Sequence, residues 1–322
     1  MRYIFFGSSE FAKIVLKQLI QNNLKPILVV TQPPKPKGRK QILSPTLVQL
    51  VAEQNNIPFL TPENLKDEDF IQTIKNLQPD FILLTAYAKI IPSVLLKLPP
   101  QGFLNLHPSL LPRYRGATPI QLTILTGDKE TGVTLFLMDE QIDHGPIIQN
   151  TRYKIPACAG RQNARITYPE LMQELAILGA KLIIEALPQW LEGKINPQPQ
   201  DESLATYCHK ITPEDERINW QTSAEEADRK IRALNPNPGT YTLTQEKVIK
   251  IIKGFLAIDN KFSTTKQIGE VFEYNNQGKK QIAVKCQSDF YVIEELKPAG
   301  KTTMASENFL MGNRWIIGQV LN

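Results

Sequence analysis

Short apolar segments of strand length alternate with segments of helical periodicity through the first 190 residues or so of the chain. Residues 10–20, for example, place Phe11, Val15 and Leu19 on one helical face directly after an apolar strand at residues 2–6. The other strand-like segments are 26–31, 58–60, 80–85, 102–106 and 132–138, and the other helical segments are 46–54, 68–77, 120–125 and 169–187. Such alternation is typical of βαβ units. It predicts the α/β class, with a doubly wound, mostly parallel sheet that has helices on both faces.

The composition changes after residue 187. Residues 188–202 are rich in proline and polar side chains, which is typical of linkers. Beyond them, a helical pattern at 223–234 precedes five short strand-like segments, at 239–243, 248–258, 268–273, 281–285 and 290–295. Five is the strand number of the OB-fold. We therefore predict a first domain at residues 1–187, a linker at 188–206 and a small C-terminal OB-like β-barrel domain at 207–322.

The composition also excludes several classes of protein. Hydrophobic residues make up 42% of the chain and charged residues 21%, as in folded proteins rather than disordered or fibrous ones. No apolar run approaches the length of about 18 residues that a membrane-spanning helix needs. The three cysteines form no C-x-x-C pair, which argues against a disulfide framework and a conventional zinc site. The N-terminus resembles neither a signal nor a transit peptide, so a cytoplasmic protein is expected.

Positive charge is concentrated near the N-terminus. Residues 1–52 carry eight basic side chains and one acidic one, a net charge of +7, whereas the whole chain carries +5. Lys35, Lys37, Arg39 and Lys40 lie within six positions, among prolines and a glycine that disfavour regular structure. Such a loop attracts polyanions, for example nucleic acid or phosphorylated ligands. The alternative is a solvated loop that contributes only to solubility.

Two polar residues stand at the end of a predicted strand. Asn105 and His107 are two positions apart, so their side chains point to the same face, and Pro108 ends the strand at once. The carboxyl ends of parallel strands are where open α/β sheets bind ligands. A carboxamide beside an imidazole can stabilise an oxyanion and transfer a proton. Taken alone, however, Asn-x-His is a weak signal, and a packed or capping role is the default interpretation.

A carboxylate follows the next apolar strand. Asp143 lies five residues after the end of the strand predicted at 132–138. It could pair with His107, fix the tautomer of that ring and favour the imidazolium. The alternative is an aspartate in a turn before Gly145-Pro146, where aspartate is common.

The first strand-to-helix turn offers little evidence for a nucleotide. It reads Phe6-Gly7-Ser8-Ser9-Glu10-Phe11, with one glycine where a dinucleotide-binding motif needs three. Backbone amides at the start of the following helix could still meet an anion. A tight structural turn is the better interpretation, and NAD binding is not expected.

These pieces together resemble a known family. The run Asn105-Leu106-His107-Pro108-Ser109-Leu110-Leu111-Pro112, followed by Asp143, resembles the signature of formyltetrahydrofolate-dependent formyltransferases. In the second half, Ile218-Asn219-Trp220 and the segments 231–236, 296–301 and 304–312 resemble the members of that family that act on tRNA. The similarity extends over nearly the whole chain, which implies a Rossmann-like N-terminal domain and a C-terminal domain that binds tRNA.

The resemblance also implies the substrates and the residues that handle them. The formyl donor is 10-formyltetrahydrofolate, and the acceptor is the α-amine of methionine on initiator tRNA. Asn105 and His107 stabilise the tetrahedral oxyanion, and Asp143 orients His107 and helps to move the proton. No metal is needed. The implied folate-binding residues are Ser109, Leu110, Leu111 and Pro112 with Ala86, Tyr87 and Ile91, and the implied tRNA-binding residues are Lys35, Lys37, Arg39 and Lys40.

Two other functions stay open at this point. One is a formyltransferase that acts on another amine, such as an amino sugar nucleotide, although the second domain would then be idle. The other is a folate- or RNA-binding protein without catalysis, which the intact Asn105, His107 and Asp143 argue against. The chain is expected to be monomeric. It departs from the family at Ser8-Ser9, Ala88, His144 and 158–168, which bears on affinity more than on the type of reaction.

Overall fold

The computed structural model describes residues 1–37, 41–156, 165–244, 247–257 and 266–321. The chain divides into two compact units. The first consists of Met1–Pro119, Glu130–Lys154 and Glu170–His209, and the second of Ile120–Lys129, Ile155–Pro169 and Lys210–Asn322.

The elements up to residue 209 follow the predicted alternation. The strands are β1 Tyr3–Gly7, β2 Leu28–Val30, β3 Lys35–Lys37, β4 Ile42–Ser44, β5 Phe59–Leu60, β6 Phe81–Thr85, β7 Phe103–His107, β8 Arg115–Gly116, β9 Glu130–Leu137, β10 Ile147–Lys154 and β11 Tyr207–Cys208. The helices are α1 Glu10–Gln21, α2 Leu47–Gln54, α3 Glu68–Asn76, α4 Ser93–Leu96, α5 Pro119–Thr126 and α6 Tyr168–Leu191.

Seven strands of the first unit form one sheet, in the order β10-β9-β7-β6-β1-β2-β5. The five strands from β7 to β5 are parallel, whereas β9 runs antiparallel to β7 and β10 antiparallel to β9. The predicted α/β class with a mostly parallel, doubly wound sheet is therefore confirmed. The chain leaves β1 toward β2 on one side and later returns to β6 on the other. Sheets of this kind bind ligands beyond the carboxyl ends of the strands beside such a reversal.

Helices α1 and α2 begin at side-chain caps, and helices of the first unit cover an apolar sheet. Ser9 and Thr46 each accept a hydrogen bond from the backbone N–H three residues later, at the starts of α1 and α2. One cluster of buried residues on a face of the sheet includes Ile4, Phe6, Val30, Ile82, Leu84 and Phe103, and it also takes in Phe70 and Ile74 of α3. Asn105 lies two residues after Phe103, so the same register that builds the core also places the first site residue.

The end of α6 and the segment after it differ from expectation. The helix runs through Pro188 to Leu191, beyond its predicted end at residue 187. Residues 188–206, predicted to be a linker, belong to the first unit, and the backbone of Gln198 there pairs with that of Ile147. The predicted division into domains remains a prediction.

The second unit contains an antiparallel sheet. After α7 Pro213–Glu216 and α8 Ala224–Leu234, the chain forms β12 Thr240–Thr244, β13 Lys247–Ala257, β14 Val271–Asn276, β15 Lys279–Lys285, β16 Phe290–Pro298, β17 Met304–Ala305 and α9 Ser306–Gly312. The strand order is β12-β13-β16-β15-β14, and β17 pairs with β16. A reciprocal capping box between Ser223 and Glu226 starts α8. The prediction of a separate, small β-domain is confirmed.

The core of the second unit surrounds a buried tryptophan. Trp220 packs near Tyr291 with the ring centroids 6.3 Å apart, and its indole N–H donates to the Thr242 hydroxyl at 2.9 Å. The buried indole therefore keeps a hydrogen-bond partner, as such groups require. In the described part of the chain, no helix is both long and apolar enough to cross a membrane.

Gly179 of α6 fixes the packing beneath the site. A Cβ at this position would lie 2.5 Å from Cδ2 of Leu106, the residue between Asn105 and His107. A Gly179→Ala substitution would gain about 1 kcal/mol of helix propensity. The overpacking it causes costs about 1–3 kcal/mol. We therefore expect a loss of up to about 2 kcal/mol in the free energy of unfolding, measured by urea titration. The matched control is Gly312→Ala at the end of α9, where nothing lies within 4 Å. Equal stability of the two variants would contradict the prediction.

Candidate functional site

Asn105 and His107 occupy the carboxyl end of β7. Both side chains are buried, with 7% and 4% of the residue surface exposed. β7 lies between β6 and β9, with Asn105 opposite Leu84 on one side and Phe136 on the other. A polar pair embedded in an apolar sheet needs hydrogen-bond partners, because an unpaired buried polar group costs about 1–3 kcal/mol.

The carboxylate of Asp143 lies beside both of these side chains. Its Oδ1 accepts a hydrogen bond from Asn105 Nδ2 at 3.3 Å, and its Oδ2 lies 3.5 Å from His107 Nδ1. The backbone N–H of Gly116 donates to the same Oδ2 at 2.8 Å. The structure thus brings the three predicted catalytic residues together, although Asp143 lies 38 positions after Asn105 in the chain.

The backbone around Asp143 is unusual. Asp143 has φ of 49°, in the left-handed region that aspartate tolerates better than most residues. Gly145 follows two positions later, and any Cβ there would collide with the carbonyl oxygen of Leu137. Glycine at 145 therefore lets the turn close directly against the end of β9. The turn in this way presents the carboxylate to β7.

The ring of His107 is oriented by contacts at both of its nitrogens. Nε2 lies 2.9 Å from the carbonyl oxygen of Tyr114, which can only accept. Nε2 therefore carries a proton in this arrangement, and Nδ1 faces the carboxylate of Asp143.

The loop of Ser109, Leu110, Leu111 and Pro112 is anchored by Thr134 of β9. The Thr134 hydroxyl donates to the carbonyl of Ser109 at 2.7 Å and accepts from the N–H of Leu111 at 3.1 Å. Ser109 and Leu111 are buried, whereas Leu110 and Pro112 are partly exposed. One threonine thus holds both ends of the predicted folate-binding loop beside β7.

The second predicted folate segment follows β6. Ala86 is exposed with φ of 46°, whereas Tyr87 and Ile91 are buried. The ring of Tyr87 packs edge-on against Phe6, with centroids 5.3 Å apart. Its phenolic oxygen is buried and has no hydrogen-bond partner among the described residues. Burial raises the pKa of Tyr87 to about 12, so this oxygen keeps its proton and is a hydrogen-bond donor at neutral pH.

Gln32, which the sequence analysis did not single out, links this segment to the basic loop. Its side-chain N–H donates to the carbonyl of Tyr87 at 2.6 Å, and its Oε1 accepts from Lys35 Nζ at 2.7 Å. Gln32 therefore bridges Lys35, which is predicted to bind tRNA, and Tyr87 of the predicted folate-binding segment. Lys37 ends β3, and Arg39 and Lys40 lie outside the described residues.

The two serines after β1 have structural roles. Ser8 Oγ accepts from the backbone N–H of Gln32 at 3.1 Å and lies 3.3 Å from the Thr31 hydroxyl, while Ser9 caps α1. These contacts tie the ends of β1 and β2 together, as the interpretation of a tight structural turn requires.

Further functional candidates lie in the segment 198–208. Gln200 Nε2 donates to the carbonyls of both Asp143 and Gly145, at 2.9 and 2.8 Å. Arg115 is 1% exposed and makes a bidentate pair of hydrogen bonds to the carboxylate of Glu202. These bonds raise the pKa of Arg115 and hold the pKa of Glu202 below its usual range. No periodicity or motif marked Gln200 and Glu202, which stand in a stretch predicted to be a linker.

His144, a departure from the family pattern, lies beside this network. Its Nδ1 is 2.6 Å from Asp139 Oδ2, and its Nε2 is 3.5 Å from Glu202 Oε1. Within the described residues, no group of three or more His, Cys, Asp or Glu side chains could hold a metal ion. Cys208 and Cys286 are free thiols.

Two protein-family descriptions match the sequence. Residues 1–187 match "Formyl transferase", and residues 210–314 match "Formyl transferase, C-terminal domain". The chain is also similar to proteins named methionyl-tRNA formyltransferase over almost their whole length. The one from Dictyoglomus thermophilum is 40% identical over 321 residues, which cover 99% of each chain. The one from Thermodesulfovibrio yellowstonii is 37% identical over 317 residues, 97% of this chain and 96% of the relative.

Solved structures share the fold at lower identity. HypX from Aquifex aeolicus, in complex with tetrahydrofolic acid, is similar with a TM-score of 0.65 and 17% identity over 97% of this chain and 47% of its own. This chain thus spans about half the length of HypX. A sugar 3N-formyl transferase, solved with dTDP and 5-N-formyl-THF, gives a TM-score of 0.61 and 19% identity over 94% of this chain and 99% of its own. The methionyl-tRNA formyltransferase from Clostridium thermocellum gives 0.53 and 20%, over 81% and 94%.

A Thr134→Val substitution tests the anchoring of the loop. Valine has the same shape but can neither donate to Ser109 nor accept from Leu111, so two buried backbone groups lose their partner. Each such group costs about 1–3 kcal/mol, and we expect the free energy of unfolding to fall by about 2–6 kcal/mol in urea titrations. The control is Thr151→Val on the neighbouring strand β10, with an expected change below about 0.5 kcal/mol. Equal losses in both variants would show that the loop does not depend on Thr134.

Proposed function

The chain belongs to the formyl transferase family, and we propose that its site transfers the formyl group of 10-formyltetrahydrofolate to the α-amine of methionine on initiator tRNA. The full-length similarity to relatives named methionyl-tRNA formyltransferase supports this acceptor. The observation that carries the proposal is the carboxylate of Asp143, which lies between the carboxamide of Asn105 and the imidazole of His107 at the end of β7.

The donor binds beside this trio. Ser109–Pro112 and the segment of Ala86, Tyr87 and Ile91 form its pocket, on the two strands that neighbour each other as β7 and β6. The buried, unpartnered phenolic oxygen of Tyr87 supports a polar ligand there, because such a group is costly unless something bonds to it. The pocket in this assignment opens at the carboxyl ends of the strands, where a doubly wound sheet binds its ligands.

The reaction begins with attack of the amine on the formyl carbon. The nitrogen lone pair forms the new C–N bond, and the carbonyl electrons move to oxygen to give a tetrahedral oxyanion. Asn105 Nδ2 has two N–H groups and directs one of them at Asp143, which leaves the other for the oxyanion. His107 supports this charge from beside Asn105, where Nε2 is bonded to the carbonyl of Tyr114 and Nδ1 faces the carboxylate of Asp143. Donors fixed in advance in a buried site lower the barrier without having to reorganise.

The intermediate then collapses toward products. The bond from carbon to the folate nitrogen breaks, and the proton of the attacking amine ends on that nitrogen. Asp143 accepts and returns this proton, directly or through one water, and it also keeps His107 oriented. The products are formylmethionyl-tRNA and tetrahydrofolate, and the enzyme returns to its starting protonation state.

The acceptor is held by charge as well as by the second unit. Lys35, Lys37, Arg39 and Lys40 bind phosphates of the tRNA acceptor end, and Gln32 ties Lys35 to the folate segment. Residues 207–322 bind the body of the tRNA in this proposal. An enzyme for an amino sugar nucleotide would need neither feature, and it would transfer formyl to a small amine without residues 204–322.

The roles of the trio are tested by single substitutions. We expect Asn105→Ala to lower kcat by about 10²–10³, through loss of one oxyanion donor. Asp143→Asn should lower it by about 10²–10⁴, through loss of proton transfer. The assay measures formyl transfer to charged initiator tRNA, with free methionine and elongator methionyl-tRNA as parallel acceptors.

Glu140→Gln, an exposed change in the same turn as Asp143, is the matched control and should stay within about twofold of the parent. Binding of tRNA should be unchanged in Asn105→Ala and Asp143→Asn. A parent that binds folate and tRNA but transfers no formyl group would show a binding protein without catalysis. Transfer to a small amine by a chain that lacks residues 204–322 would support the amino-sugar alternative.

The basic loop is tested through the salt dependence of KM. Replacing Lys37, Arg39 and Lys40 together by glutamine should raise the KM for tRNA at fixed salt. It should also reduce the slope of log affinity against log salt by about 1 for each phosphate that the variant no longer binds. The control replaces three exposed lysines elsewhere, at positions 17, 25 and 66. If both triple variants shift KM alike, the effect comes from net charge and the assignment of the loop is wrong.

A further inference from the structure

The side-chain amide of Gln200 uses every hydrogen-bonding position it has. Its two N–H groups donate to the carbonyl oxygens of Asp143 and Gly145, at 2.9 and 2.8 Å. Its Oε1 accepts from Arg115 Nη2 at 2.8 Å and from Arg115 Nε at 3.1 Å. An amide has two donors and two acceptor lone pairs, so this one is fully satisfied. The opposite orientation of the amide would place oxygen against two carbonyls, so the contacts fix its direction.

The partners of Gln200 are connected to the Asp143 carboxylate in two ways. Through its N–H groups, Gln200 holds the backbone of the turn that carries Asp143. Through its oxygen, it holds Arg115, whose chain neighbour Gly116 donates to Asp143 Oδ2 at 2.8 Å. The residue therefore fixes both the backbone that bears the carboxylate and the strand that supplies its shortest hydrogen bond.

Other contacts hold this arrangement rigid. The guanidinium of Arg115 is further bound by the carboxylate of Glu202 and by the hydroxyl of Tyr207 at 3.2 Å. β11 pairs in parallel with β8, and the N–H of Arg115 donates to the carbonyl of Thr206 at 2.8 Å. A bidentate interaction with a carboxylate fixes the plane of a guanidinium as well as its position. The Gln200 oxygen thus bonds to a group that is itself immobile.

We propose that Gln200 is a positioning residue for the formyl transfer reaction, which aligns Asp143 with Asn105 and His107 without touching the substrates. The inference rests on the proposed function. Its physical basis is that Asp143 stands in a left-handed backbone conformation, with φ of 49°, that costs free energy unless its surroundings impose it. Gln200 bonds to the carbonyl of this strained residue and to that of Gly145, two positions later. Without it, the turn would relax and the carboxylate would move away from β7.

The test compares two substitutions of Gln200 with a neighbouring control. Gln200→Met keeps the length of the side chain but removes all of its hydrogen bonds, and Gln200→Glu keeps the acceptor for Arg115 but removes both donors. The control is Gln198→Ala, because the side chain of Gln198 is exposed and donates only to the carbonyl of Asn196 in this structure. All four proteins, including the parent, are used as full chains.

Steady-state formyl transfer separates positioning from a purely structural role. We expect kcat to fall by about 10²-fold in both Gln200 variants, since misplacement by about 1 Å can cost that much. The KM values for the folate donor and for tRNA should stay within about twofold of the parent, and Gln198→Ala should match the parent in every constant. An unchanged kcat in either Gln200 variant would overturn the proposal. So would a fall in kcat that disappears when rates are divided by the concentration of folate-binding sites, because that shows only a smaller amount of folded enzyme.

Crystal structures of the parent and of Gln200→Glu provide a readout that does not depend on activity. We expect the carboxylate of Asp143 to lie beyond hydrogen-bond distance of Asn105 Nδ2 in the variant. If it remains at about the parental distance, Gln200 does not position Asp143. If the parent binds both substrates but does not transfer formyl, the proposed function fails, and these structures still decide whether Gln200 sets the place of the carboxylate.

Discussion

The carboxylate of Asp143 is the acceptor around which the site is organised. Its Oδ1 accepts from the carboxamide of Asn105 on β7, and its Oδ2 accepts from the backbone of Gly116 on β8 and lies 3.5 Å from Nδ1 of His107. Each of these donors is buried or partly buried, so each would be left without a partner if the carboxylate moved. The cost of unpaired donors, about 1–3 kcal/mol each, connects the turn after β9 to two other elements of the first unit.

Much of the first unit could be predicted from the sequence, because the strands of a parallel sheet have a simple sequence pattern. Segments such as β1 and β6 are buried on both faces and therefore read as continuous apolar runs between amphipathic helices. The end of α6 could not be predicted from Pro188, which usually stops a helix. A proline removes one backbone donor and clashes with the preceding turn. Burial of apolar residues such as Leu187 stabilises α6 before that defect, and the indole of Trp190 after it donates to the carbonyl of Gln101 at 3.0 Å. These tertiary contacts are not evident from the local sequence.

Some residues of the site could likewise be predicted from the sequence, and others could not. Asn105 and His107 could be found because residues two positions apart on one strand point to the same face. Asp143 could be found because it follows the next strand. Gln200 could not, since its bonds to Asp143 and Gly145 end on backbone carbonyls, which every residue has. Gln32 was missed for the same reason, as its partner in Tyr87 is again a carbonyl. A side chain that recognises backbone leaves no complementary residue type in the sequence, so only the fold reveals the pair.

Gln200, which holds the turn that carries Asp143, is synthesised later than the residues of the site. Gln200 is 57 residues after Asp143, an interval that takes about 3–11 s to synthesise at ribosomal rates of about 5–20 residues per second. During that time the emerging chain contains Asn105, His107 and Asp143 but not the amide that bonds to the turn. A product released early, before residue 200, would keep the loop of Ser109–Pro112 with a misaligned carboxylate. Synthesis beyond residue 200 is therefore a condition for the arrangement of Asp143 seen in this structure.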